Sequence, residues 1–193
     1  MWLTGSVLPA TTQPVAADPT DPRLDSLVPR QVDEPCPESD VGTNAGEAML
    51  TESSRLEPMI GQVLAYGVQH PVEFGTYGLL WHDGTDASVF ISFTSDLEVH
   101  RTALEQVVQY PDELIVCQVA LPGDVAQALV AKLVIELQGR FVSIGQSAGP
   151  IEIGLPSHEA ELATELRDRY GDAVDVTLGA CPLTVDTTPP TNC

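Results

Sequence analysis

The sequence predicts an α+β fold: a tandem ββαβ repeat with a buried linking helix, preceded by one helix and a disordered Pro-rich tail. Three observations predict it. Two β-type runs, a helix and a further strand follow one another over 79–119 and again over 141–178. The two stretches can be laid over each other in register. The segment between them, 124–138, is apolar almost all round, as a helix buried on more than one side would be.

Residues 1–52 read as a flexible linker. Pro9, Pro14, Pro19, Pro22, Pro29, Pro35 and Pro37 each remove a backbone donor and bias the preceding residue toward extended geometry. Helix and central strand are both disfavoured there, which leaves a solvated, polyproline-leaning tether. Met1 to Leu8 lacks a basic n-region and so fails as a signal peptide. Leu3-Thr4-Gly5-Ser6 resembles a bacterial lipoprotein box with serine where the lipidated cysteine belongs, and the missing thiol removes that chemistry. Order is expected from residue 53, where Ser54 and Glu57 form a capping-box pattern before Leu56, Met59, Ile60, Val63, Leu64 and Val68. Pro58 then falls in the first turn, and His70-Pro71 closes the helix.

The duplicated domain is placed at 53–180, with units of about 76–119 and 140–179, and 181–193 form a C-terminal tail. In the first unit Leu79-Leu80-Trp81 and Val89-Phe90-Ile91-Ser92-Phe93 flank a turn at Asp83-Gly84-Thr85-Asp86. Ser95 with Glu98 caps a helix through Leu104, and 114–119 is a strand. Asp124 caps the apolar helix. In the second unit Phe141-Val142-Ser143-Ile144 and Ile151-Glu152-Ile153-Gly154-Leu155 form a hairpin around Ala148-Gly149-Pro150. Ser157 caps a helix through Leu166 and Tyr170, and 174–178 is the last strand. Ile91, Phe93, Ser95 and Leu104 fall on Ile153, Leu155, Ser157 and Leu166, 62 residues on. After a two-residue deletion Asp112, Leu114 and Val116 fall on Asp172, Val174 and Val176. A right-handed crossover in each unit makes the strands flanking the helix parallel, and the two units are expected to share one core around the middle helix.

Charge excludes some partners. With 28 acidic and 8 basic residues the formal charge is −20, which repels phosphate backbones and anionic headgroups, so no nucleic acid or direct membrane partner is expected. No run of about 18 apolar residues is present to span a bilayer. The acids are spread rather than paired, and Asp83-Gly84-Thr85-Asp86 reads as a turn rather than a cation loop.

No residue is nominated as catalytic, metal-binding or cofactor-binding. Cys181 and Cys193 bracket the C-terminal tail and are the disulfide candidates, which suits an oxidising compartment. Cys36 competes for either, and Cys117 reads as a buried inert thiol, since a catalytic Cys117 lacks a local base. His70 precedes a helix-ending proline, His82 sits at a hairpin turn, and His100 and His158 are expected to be exposed in first helical turns. Trp81-His82-Asp83 alternates across a strand, against a His–Asp dyad. Gly145-Gln146-Ser147-Ala148-Gly149 fits the letters of a nucleophile elbow but leads into a strand, not a helix, and His158 follows only eleven residues later.

His70-Pro71 through Phe74-Gly75, Phe93-Thr94 through Ala103-Leu104, and Leu166 with Arg169-Tyr170-Gly171-Asp172-Ala173-Val174 carry a resemblance. The stretch 66–179 resembles a type of uncharacterised secreted or envelope-associated bacterial α/β domain. In outline its unit is also similar to the prodomains of secreted bacterial serine proteases of the alpha-lytic and streptogrisin type. That resemblance implies assistance to, and inhibition of, a protease; no catalytic residue carries over. The expected function is a non-enzymatic secreted or envelope-tethered, lipoprotein-like module that binds a protein partner. The alternatives are a prodomain-like inhibitor or folding helper, and a small serine hydrolase using Ser147 with His82 or His158. The expected location is the cell exterior or envelope, with the cytoplasm as alternative.

Overall fold

A computed structural model describes residues 17–27, 31–38, 46–82, 86–146 and 149–179. Four helices and two three-stranded sheets make an α+β fold. The elements run α1 (Glu47–Gly67), β1 (Phe74–His82), β2 (Asp86–Phe93), α2 (Leu97–Glu105), β3 (Leu114–Gln118), α3 (Gly123–Glu136), β4 (Ser143–Gln146), β5 (Ile151–Leu155), α4 (Ala160–Tyr170) and β6 (Val174–Leu178). A 3-10 turn, Pro22–Ser26, precedes them.

Each sheet is a hairpin plus one parallel strand, ordered β1-β2-β3 and β4-β5-β6. The register supports the sequence overlay directly. Ile91 pairs with Val116 in one sheet, and their counterparts Ile153 and Val176 pair in the other. Within each unit the helix between the parallel strands packs back on the last one, α2 on β3 and α4 on β6.

The helices correct the expected plan in one respect. The α3 helix is not the hub of a common core. Leu56, Met59 and Val63 of α1 join Val89, Ile91, Phe93, Leu104 and Val116 in one cluster. Ala126, Leu129 and Leu133 of α3 join Ile151, Ile153, Leu155, Leu166 and Val176 in another. The spacing of the α1 set matches that of the α3 set, so α3 stands to the second unit as α1 stands to the first. A three-stranded sheet with one helix buries too little to stand alone, and the preceding helix supplies the missing apolar stripe. The structural unit is therefore αββαβ, used twice. On its outer side α3 leaves Ile135 64% exposed.

Helix starts also differ from the capping pattern. The α1 helix begins at Glu47, where Glu47-Ala48-Met49-Leu50 are good helix formers, so Pro58 lies inside it rather than in its first turn. Ser54 hydrogen-bonds back to the Leu50 carbonyl instead of capping. The ladder bond lost at Pro58 is offset by burial of Leu56, Met59 and Val63 on the sheet. Ser95, Asp124 and Ser157 do not cap the helices after them: α2 starts behind Asp96, a left-handed residue at φ 55°, and α3 and α4 start without side-chain caps.

The units touch where β1 meets the start of α3. A Cβ on Gly123 would overlap the Gly75 carbonyl oxygen, far inside van der Waals contact distance. A Cβ on Gly75 would lie 2.6 Å from Ser92 Oγ, which itself bonds both the N–H and the carbonyl of Thr76 across a bulge. Only glycine permits this backbone approach.

Part of the Pro-rich stretch also lies against both units. Leu24 is buried in the second core and Val32 packs on it, while the Val32 N–H donates to Asp172. Three residues on, Pro35 bridges to Gln118 at the outer edge of β3, and the Gln118 N–H donates to the Glu34 carbonyl. Cys36 then forms a disulfide with Cys117. This corrects the reading of Cys117 as an inert free thiol. The first sheet needs the cover, because its outer face carries buried Leu80, Phe90 and Cys117. The second sheet presents exposed Glu152, Asp175 and Thr177 on the corresponding face and has no such need.

Two outcomes are expected. Cys36→Ser removes a cross-link between residues 81 apart, and urea unfolding shows a loss of about 2–5 kcal/mol. Gly123→Ala, although it raises helix propensity, lowers the thermal midpoint by the equivalent of about 1–3 kcal/mol, because a methyl is forced into backbone.

Candidate functional site

At the carboxyl end of the parallel pair β2-β3, four side chains from three segments meet around His100. The α1 helix ends at Gly67, whose missing side chain leaves room for the Phe74 ring. The chain then turns tightly: the His70 N–H donates to the Gly67 carbonyl, and the Glu73 and Phe74 N–H groups donate to the His70 carbonyl. The Thr94 N–H donates to the Glu73 carbonyl and ties that turn to the end of β2. Tyr66 and His70, one helical turn apart, stack with ring centres 4.5 Å apart.

His100 enters from the first turn of α2 and is 2% exposed, contrary to the expected exposure. Its position one turn before Leu104 puts it on the inward stripe. The ring lies parallel to Phe93 at 3.8 Å and edge-on to His70 at 5.0 Å. Its Nε2 is 3.0 Å from Glu73 Oε2, and its Nδ1 is 3.0 Å from the Tyr66 hydroxyl. Both nitrogens of a buried imidazole are thus partnered, as burial demands. Burial, and then the nearby Glu73 carboxylate, raise the Tyr66 pKa above its ordinary value.

Glu73 also faces a cleft of about 610 Å³ between the two units. Pro71, Val72, Leu121 and Pro122 form apolar parts of its lining, and Arg23, Ser95 and Asp124 polar parts. A crevice beyond the carboxyl ends of parallel strands is where open α/β sheets hold ligands. Val72 at its rim is 80% exposed.

The residues weighed in the sequence are scattered. His82 Nε2 is 2.9 Å from the Ser88 hydroxyl across its hairpin, and His158 is exposed. Ser147, Asp83, Cys181 and Cys193 lie outside the described residues. The strands flanking Ser147, β4 and β5, are antiparallel neighbours, so the strand-to-helix setting of a nucleophile elbow is missing. Cys117 is in a disulfide and carries no thiol. The cluster that forms instead joins residues up to 34 positions apart. The spacing His70-x-x-Glu73 was its one local signal.

No helix among the described residues is long and apolar enough to cross a membrane. Compared with protein families, with curated proteins and with solved structures, the chain matches none.

Two tyrosines separate a used hydroxyl from an unused one. Tyr66→Phe leaves His100 Nδ1 unpaired and is expected to cost about 1–2 kcal/mol in chemical denaturation. The Tyr170 hydroxyl is buried with no hydrogen-bond partner among the described residues, so Tyr170→Phe leaves stability unchanged or raises it. Both phenols have raised folded pKa values, Tyr170 mainly through burial. Their contribution is complete below the free tyrosine value of about 10 and is lost as pH rises through the folded values. The double Phe variant is expected to show a shallower alkaline loss of stability.

Proposed function

We propose that the chain is a non-enzymatic module of the cell exterior or envelope that binds a protein partner in the cleft between its two units. The cleft itself carries the reading: an open groove with apolar walls and charged rim residues of both signs, bordered by Val72, which is 80% exposed. The Cys36–Cys117 disulfide supports an oxidising location, because such cross-links do not persist in a reducing cytosol. The resemblance to protease prodomains adds one specific partner class, a secreted serine protease, for which the module acts as inhibitor or folding helper in trans.

The test is retention of partner from the extracellular fraction of the source organism on immobilised chain. Val72→Asp and Ser95→Arg are expected to abolish retention of a protein that the wild type holds. Val107→Asp, at a site 52% exposed and outside the cleft lining, is expected to retain it. Equal retention by all three variants overturns the cleft as the docking surface. Inhibition of peptidase activity in the retained fraction identifies the protease case.

A further inference from the structure

We propose that His70, Glu73 and His100 form a binding site for one divalent transition-metal ion, with zinc as the physiological candidate. The donor atoms of these three residues lie within 4.8 Å of one another. Two imidazole nitrogens and one carboxylate oxygen are a zinc donor set that leaves a fourth position open. Bond lengths of about 2.0–2.2 Å place tetrahedral ligands roughly 3.3 Å apart. The His100 Nε2 to Glu73 Oε2 edge is already 3.0 Å, so closure on an ion asks chiefly for an inward adjustment of His70.

The site is built unevenly, in the way such a closure requires. His100 is the fixed ligand, buried and held in its plane by the parallel Phe93 ring. His70 and Glu73 are half-buried on the turn between α1 and β1, with the His70 ring set against those of Tyr66 and His100. Among the described residues no hydrogen bond ties either ring nitrogen of His70. Hydrogen bonding explains why His100 and Glu73 face each other, but it does not explain a third donor converging on the same point.

Tyr66 supplies the outer support. A metal-ligating histidine ordinarily donates its other ring N–H to a fixed acceptor, which sets the tautomer. Without metal, the tautomer that suits an ionised Glu73 donates its Nε2–H to that carboxylate and accepts a hydrogen bond from the Tyr66 hydroxyl at Nδ1. With metal on Nε2, the neutral ring carries its single proton at Nδ1 instead, the Nε2 proton passing to solvent and Nδ1 taking one from it, and Nδ1–H donates to the Tyr66 oxygen. A hydroxyl serves both roles by rotating. Glu73 faces the cleft, so the open coordination position is reachable from solvent. The net charge of −20 draws cations to the surface. Calcium and magnesium, which take oxygen ligands, are poorly served by two imidazoles.

The experiment uses the full chain with its disulfide intact, stripped of metal by a chelator and titrated with Zn²⁺ by calorimetry. Excess Ca²⁺ is kept present to occupy the acidic surface. One Zn²⁺ per chain is expected, and Co²⁺ in its place is expected to give the intense visible bands of a four-coordinate ion. His70→Ala and Glu73→Gln should each weaken binding by more than tenfold, and Tyr66→Phe by about tenfold at unchanged stoichiometry. In the unmutated chain Zn²⁺ should shift the ring proton signals of two of the four histidines, His70 and His100, and spare His82 and His158. That readout holds even if a variant misfolds. No uptake above the Ca²⁺ background overturns the proposal, as does uptake unchanged in both ligand variants or ring signals that move equally for all four histidines.

Discussion

The close approach of Gly75 and Gly123 determines how this protein is assembled. Each unit buries its own core, so nothing in either core obliges the two to meet. What joins them is a backbone contact between the start of β1 and the first residue of α3, at a separation no side chain tolerates. Because Gly75 lies one residue after Phe74 and two after Glu73, that contact also sets where the α1–β1 turn sits. The cleft between the units follows from it, while the His100 cluster is held within the first unit by the Thr94 N–H on the Glu73 carbonyl and by Phe74 packed over Gly67.

The N-terminal segment then locks the arrangement. Leu24 and Val32 pack on the second unit, and Cys36 is bonded to the first. A chain with few cations uses several of them here. Arg23 pairs with Asp124 at 2.8 Å, Lys132 with Asp25 at 3.5 Å, and Arg101 with Glu34 at 3.2 Å. Exposed pairs of this kind contribute less than about 1 kcal/mol each, so the apolar anchors and the disulfide dominate and the ion pairs set orientation. Arg101 also donates to the Val116 carbonyl, and Arg167 donates to the equivalent Val176 carbonyl in the second unit. The two arginines do not occupy aligned sequence positions, yet each occupies the same acceptor of its sheet.

The site shows where pattern reading loses its hold. Local spacing puts His100 in a first helical turn, where most positions are exposed. Its burial depends on Phe93 and on Glu73 arriving from elsewhere, which no local period reports. Cys36 and Cys117 are a similar case. Spacing does not decide cysteine pairing, and a cysteine alternating along an apolar strand, as Cys117 does, reads as a buried thiol with no partner in view. The decisive fact is that the outer face of the first sheet is apolar and must be covered, which alternation along β1, β2 and β3 encodes only once the strands are known to be neighbours.

By itself the sequence determined the kind of elements, their order and the equivalence of the two strand–helix–strand stretches. These depend on local periodicity and on the chirality of the crossover, both written in residues close together in the chain. Only the tertiary structure decided that α3 is the opening helix of a second αββαβ unit rather than a shared hub. It alone brought the proline-rich segment onto the domain, and His70, Glu73, His100 and Tyr66 into one cluster. Each of these rests on contacts between segments far apart in sequence, whose energy comes from surfaces that exist only after both partners have folded.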